Sequence, residues 1–263
     1  MKKISLISIL LIALMVSSCN QQRGEEWIQL FNGQDLTGWT PKIRGHAAGY
    51  NFANTFRVED GLLKVRYCPV AYERFNYRFG HIFFEQPFSH YRLRVTYRIV
   101  GEQVPGAPGW AYRNSGIMIH GQTPESMTLN QDFPTSIEVQ LLGRHSRDMN
   151  RTSANLCLPG TRVIINGSLS TLHCMNSTLL GPLYDEWQTI ELEVRGNEVI
   201  RHIHNGEVVM EYFYPQLRRD DANFATVYAL NGNDIMLHGG TISLQSEGHP
   251  IDFKTVEIKI LEP

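Results

Sequence analysis

Apolar and polar residues alternate along most of this chain, and the alternation predicts strands. Arg92-Leu-Arg-Val-Thr-Tyr-Arg-Ile places Leu93, Val95, Tyr97 and Ile99 on one face. Ser136-Ile-Glu-Val-Gln-Leu-Leu, Thr189-Ile-Glu-Leu-Glu-Val and Thr255-Val-Glu-Ile-Lys-Ile-Leu repeat the pattern. Asn205-Gly206 joins Val199-Ile-Arg-His-Ile-His to Glu207-Val-Val-Met-Glu-Tyr as a hairpin, because Asn and Gly accept the positive φ of a type I′ turn. Asp60-Gly61 and Asn166-Gly167 predict two more such turns. No segment sustains a helical period with caps, so helix should be scarce. Many short strands between Gly, Asn and Pro turns predict an all-β sandwich or barrel. Longer irregular stretches at 40–54, 66–80, 101–113, 121–135, 143–156 and 213–223 are where binding is expected.

The N-terminus departs from this pattern. Lys2 and Lys3 precede an almost unbroken apolar run from Ile4 to Val16, too short for a comfortable membrane span. The run ends in Val16-Ser17-Ser18-Cys19, the form of a lipobox, in which the Cys19 thiol is diacylated and becomes the new N-terminus. Residues 1–18 are therefore expected to be a lipoprotein signal peptide, residues 19–26 a polar tether, and residues 27–263 one domain. The predicted location is the periplasm or outer membrane of a Gram-negative bacterium, with the lipid as sole membrane anchor.

Composition narrows the class further. The mature part has roughly 240 residues, a size reached by large single β domains. A formal net charge of −2 gives no concentrated basic surface, and no nucleic-acid partner is expected. Three cysteines remain after Cys19, enough for one internal disulfide. Cys157 and Cys174 flank the predicted Asn166-Gly167 hairpin and form the better pair, which leaves Cys68 as a packed free thiol. No metal site or cofactor is expected. His202 and His204 share a strand face, but a third ligand is not evident, and a solvated hairpin explains them better.

Strand phase also assembles a candidate site. In Arg113-Asn-Ser-Gly-Ile-Met-Ile-His-Gly, Ile117 and Ile119 face one way while Asn114, Gly116, Met118 and His120 face the other. Ile137, Val139 and Leu141 similarly oppose Glu138 and Gln140, and Ile242 and Leu244 oppose Ser243 and Gln245. If these strands are neighbours, Asn114, His120, Glu138, Gln140 and Gln245 share a polar face without lysine, on which Gly116 leaves room for a ligand. A carboxylate, an imidazole and amides together suit sugar binding and proton transfer. Any solvated strand face is polar, so a site and an ordinary wet surface compete evenly on pattern alone. Trp39, Trp110, Tyr112 and Trp187 are candidate sugar-stacking rings, Trp110 the best placed.

Trp27-Ile-Gln-Leu-Phe-Asn-Gly-Gln-Asp-Leu-Thr-Gly-Trp39 resembles the opening motif of the 3-keto-alpha-glucoside 1,2-lyase/3-keto-2-hydroxy-glucal hydratase family, also called 3-keto-disaccharide hydrolases. Arg113-Asn-Ser-Gly-Ile, Ser136-Ile-Glu-Val-Gln, Gly240-Thr-Ile-Ser-Leu-Gln-Ser-Glu-Gly and Ile251-Asp-Phe-Lys-Thr-Val-Glu-Ile match in order. The resemblance implies a concanavalin-like jelly roll of two antiparallel sheets with the ligand on its concave sheet. It also implies lyase or hydrolase action on glycosides or oligosaccharides already oxidised at C3. In that chemistry Glu138 or His120 is the candidate base for the C2 proton. Arg113, Asn114, Gln140 and Gln245 are candidates to hold the sugar, with Trp110 stacking and His173 beside the disulfide. The stretch from Cys157 to Cys174 departs from the commoner pattern and suggests a disulfide-bearing subgroup. A non-catalytic carbohydrate-binding lipoprotein is the competing class.

Overall fold

The computed structural model describes residues 26–263. The lipobox, Cys19 and most of the tether lie outside the described residues.

The alternating segments pair into two antiparallel sheets. The larger runs Ser168–Leu169, Thr161–Ile165, Glu207–Leu217, Val199–His204, Gln188–Arg195, His90–Ile99, Ile251–Ile260, Leu62–Val65 and Phe56–Glu59, with Ile28–Gln29 paired to the Ile251–Ile260 strand. The smaller runs Cys174–Met175, Asn155–Cys157, Ile137–Leu142, Asn114–Gly121, Thr241–Ser246, Gly80–Phe84 and Trp39–Ile43. The inward faces meet in one core. Leu93, Val95, Tyr97 and Ile99 from the large sheet pack in the same cluster as Ile117, Ile119, Ile137, Val139, Leu141, Ile242 and Leu244 from the small one. Each fully buried aliphatic side chain contributes about 1.5–3 kcal/mol, so this shared core is what sets strand register.

All three predicted turns are present. Asp60-Gly61, Asn166-Gly167 and Asn205-Gly206 each carry positive φ at both residues, the geometry only such pairs adopt cheaply. One α-helix occurs among the described residues, Phe224–Leu230. The strand from Glu207 continues to Leu217, past the expected start of a loop at 213. It does so through an irregularity at Tyr214, which takes φ of 51° next to Pro215. A bulge is where a strand tolerates proline, because one ladder bond is already lost.

The Cys157–Cys174 disulfide forms as expected, and Cys68 is free. The two cysteines are directly opposed on neighbouring strands of the small sheet. Between them the chain crosses to the large sheet, makes the Asn166-Gly167 hairpin there, and returns. The bridge thus fastens both ends of that excursion. His202 departs from the solvated-hairpin expectation, since it is buried with Nδ1 at 2.8 Å from the Ala154 carbonyl and Nε2 at 3.0 Å from the Tyr212 hydroxyl. Trp39 is likewise structural, buried and donating its indole N–H to the Leu30 carbonyl at 2.9 Å.

Candidate active site

The three strands that carry the polar pattern are neighbours, in the order Ile137–Leu142, Asn114–Gly121, Thr241–Ser246. Register sets Gly116 opposite Gln140 and Met118 opposite both Glu138 and Ser243. Asn114, Glu138, Gln140 and Gln245 therefore share the outer face of the small sheet, as strand phase predicted. On that face lies a cavity of about 310 Å³ lined by Trp110, Asn114, Phe133, Glu138, Gln140 and Glu247, together with Pro159, His173 and the two disulfide cysteines.

Gly116 occupies the middle of this face, but its space is not left for a ligand. A Cβ there would lie 3.0 Å from an oxygen of Glu138 and 3.0 Å from the Gln245 amide oxygen. Lacking one, Gly116 lets the two side chains converge from the strands on either side. Gln140 accepts a hydrogen bond from Asn155 Nδ2 at 3.3 Å, which orients its amide at the cavity wall. Trp110 is an open wall, 54% exposed and stacked on Phe79 with ring centroids 5.6 Å apart.

His120 does not join them. It takes φ of 51° at an irregularity where Ile119 and His120 together face Ile242 of the next strand. An extra residue in a strand reverses the facing of the residues beyond it. The imidazole accordingly lies at the end of the sandwich, with Nε2 at 2.9 Å from the Gly196 carbonyl, next to the large sheet. It lines a separate cavity of about 240 Å³ with Pro87, Val227 and Leu237. Burial pushes its pKa down to about 4. The expected pairing of His120 with Glu138 is thus incorrect.

Arg113 also falls outside the cavity lining. It precedes the strand with φ of 48°, and its side chain reaches the large sheet. There Nη2 donates to the Ile99 carbonyl at 3.1 Å, and Nε lies 2.9 Å from where a Cβ on Gly143 would be. It braces the rim of the sandwich.

Glu247 is a cavity-lining carboxyl group that sequence reading passed over. It is 2% exposed, lines the cavity with Glu138, and its Oε2 has no protein partner. The signal was present, because Glu247 lies two residues beyond Gln245 and so continues the same strand phase. Burial raises the Glu247 pKa well above the carboxylate range, and the Glu138 charge raises it further, while Arg151 opposes both. Burial likewise raises Glu138, partly offset by Gln245. Arg151 is itself held by the main-chain carbonyls of Tyr112, Gly143 and Trp110. Two carboxyl groups in one shielded cavity cannot both ionise freely, so the pair favours one charge and one proton.

Buried polar atoms are nearly always hydrogen-bonded within a protein. Here Asn114 Oδ1, the Ser243 hydroxyl and Glu247 Oε2 have no protein partner. The same holds for both nitrogens of His81, which stands opposite Gln245 on the next strand with its pKa lowered to about 3 by burial. The edge strand beyond adds Lys42, whose ammonium is capped by the Leu129 carbonyl at 3.1 Å, so the whole sheet is not lysine-free. Within the cavity, Asn114, Glu138, Gln140 and Glu247, walled by Trp110 and Phe133, match a ligand dense in hydroxyl and carbonyl groups.

An antiparallel jelly-roll sandwich with a polar, aromatic-walled cavity on one sheet defines the class as a carbohydrate-active protein of the concanavalin-like type. The chain belongs to the 3-keto-alpha-glucoside-1,2-lyase-like domain family, whose model matches residues 26–259. No curated protein sequence matches the chain. Among solved structures, a protein of Parabacteroides distasonis assigned as a glycosyl hydrolase superposes with a TM-score of 0.54 at 15% identity, covering 90% of this chain and 100% of that one. A Bacillus subtilis protein with a galectin-like fold gives 0.53 at 11% identity, covering 90% and 96%. A LamA variant of Zobellia galactanivorans, in complex with laminaritriose and laminaritetraose, gives 0.50 at 10% identity, covering 89% and 99%. At such identities these likenesses show the fold alone.

Proposed function

We propose that this protein cleaves glycosides already oxidised to a ketone at C3, with Glu138 as the base that removes the C2 proton. The observation that carries the reading is the pairing of a shielded carboxyl group with an unpartnered polar array inside the family's domain. A C3 ketone acidifies the C2 proton, so a carboxylate of raised basicity suffices as base. Loss of the C2 proton lets the C1–O bond break and a C1=C2 bond form, and the departing oxygen takes a proton from water. Addition of water to the resulting 2-hydroxy-3-keto-glucal completes net hydrolysis. Asn114 and Gln140 hold the ring hydroxyls, Gln245 orients Glu138 from behind, Trp110 stacks on the ring, and His173 lines the cavity beside the disulfide. The ketone arrives with the substrate, so no redox step occurs at this site.

Incubating residues 26–263 with a 3-keto-glucoside tests the reading. Release of 2-hydroxy-3-keto-glucal or 3-keto-glucose, with the unoxidised glucoside left intact, supports it. Binding of glycans without turnover of any 3-keto substrate would replace it with the binding-protein reading.

The lipobox sequence supports the reading that the protein is exported and lipid-anchored. Cys19→Ala should move the protein from the membrane fraction to the soluble fraction. Unchanged retention, with no acyl group on the wild-type N-terminus, would remove the anchor.

A further inference from the structure

Removing the C2 proton creates a second demand that Glu138 does not meet. The electron pair of the C2–H bond passes to the C3 oxygen as an enolate, and that charge needs a donor close by in a shielded cavity. Arg113 points away to the Ile99 carbonyl, and His120 lines a different cavity. Arg151 is engaged by three main-chain carbonyls and is not part of the lining. Asn114 and Gln140 offer only neutral amides.

We propose that Glu247 donates a hydrogen bond to the C3 oxygen and stabilises the enolate while Glu138 takes the C2 proton. Three observations carry this. Glu247 and Glu138 line the same cavity, so a ring with C2 at one carboxyl group can present its C3 oxygen to the other. Glu247 Oε2 is buried and has no protein partner. The two carboxyl groups share one shielded space, where a proton on Glu247 relieves repulsion with a charged Glu138. A carboxylic acid kept neutral by its surroundings donates strongly to a developing oxyanion, because their proton affinities approach one another. The step balances without an added reagent. The C2–H bond breaks toward Glu138 and the pair moves to O3. As the C1–O bond breaks, the C3=O bond is restored, and Glu247 keeps its proton throughout.

The proposal rests on Glu138 as base, and one substrate separates the two claims. The 3-keto derivative of 1,5-anhydroglucitol has hydrogen in place of the glycosidic oxygen, so it can lose its C2 proton but cannot eliminate. In D₂O its C2 deuteration reports enolate formation alone. The wild type should exchange C2, and Glu138→Gln should not. Glu247→Ala should slow exchange about 10²-fold or more. Glu247→Gln, which keeps the shape and a weaker donor, should slow it less. Thermal melts check that each variant is folded, and Glu247→Gln carries the test should the alanine variant fail to fold. Wild-type exchange rates in both Glu247 variants would overturn the proposal. Slowed glucoside cleavage with unchanged exchange would overturn it too, by moving Glu247 to the leaving oxygen. Absence of both exchange and cleavage in the wild type would instead overturn the Glu138 reading beneath it.

Discussion

Glu138 and Gln245 meet above Gly116, where a methyl group would sit 3.0 Å from an oxygen of each. They come from strands that are not neighbours, and the strand carrying Gly116 separates them. The smallest residue on the middle strand therefore sets the distance between the carboxyl group and the amide.

Gly116→Ala should test that relationship with little damage to the fold. The obstructing atoms all belong to the Glu138 and Gln245 side chains, Glu138 Cγ among them, which need to give by a few tenths of an ångström, so the melting temperature should change by only a few degrees. Turnover should fall about tenfold or more, since small misplacements of reacting groups are costly. Unaltered turnover of a 3-keto-glucoside would mean that the convergence above Gly116 has no catalytic part.

Most of this arrangement was legible in strand alternation, because a period of two assigns every side chain to a face once the core is known. Asn114, Glu138, Gln140 and Gln245 follow that rule and share the cavity face. His120 breaks it, as its positive φ rotates the chain where alternation assumes extended backbone. Arg113 keeps the phase of Ser115 and Ile117 and reaches the large sheet; only the family resemblance made it a site candidate. Met118-Ile-His120-Gly announces a bulge only weakly, since histidine tolerates the left-handed region better than most residues but does not require it. Glu247 obeyed the rule but lies just past the strand's end at Ser246. Phe133 and His173 come from loops and a crossover, to which no periodicity extends. The disulfide was readable because the hairpin turn between its cysteines brings both chain ends back together.

Stability should depend on pH in the direction set by the buried carboxyl pair. Burial raises Glu138 to about 7 from an ordinary value of 4.5, and raises Glu247 as well. Between these limits the folded state keeps protons that the unfolded chain releases, so stability falls as pH rises. The Glu138→Gln/Glu247→Gln double variant lacks this contribution. Its melting temperature should match the wild type near pH 4 and exceed it near pH 8. Parallel melting curves across that range would show that the pair is not buried as described.

The disulfide should support both fold and cavity. Cys157 and Cys174, 17 positions apart in sequence, close the excursion between them and line the cavity beside His173. Reduction, or Cys157→Ser with Cys174→Ser, should lower stability to urea by about 3 kcal/mol. It should also raise KM for a 3-keto-glucoside more than it lowers kcat, because a wall is loosened while Glu138 stays on an inner strand. A kcat loss at unchanged KM would contradict that division.

The most direct test of the central claim is the turnover of a 3-keto-glucoside by Glu138→Gln. The substitution keeps the shape and hydrogen-bonding capacity at this site and removes only the base. With folding confirmed by thermal melting, kcat should fall about 10²-fold or more, while affinity for the substrate stays within a few-fold of the wild type. A folded Glu138→Gln protein that turns over the 3-keto-glucoside at the wild-type rate would contradict the assignment of Glu138 as the base.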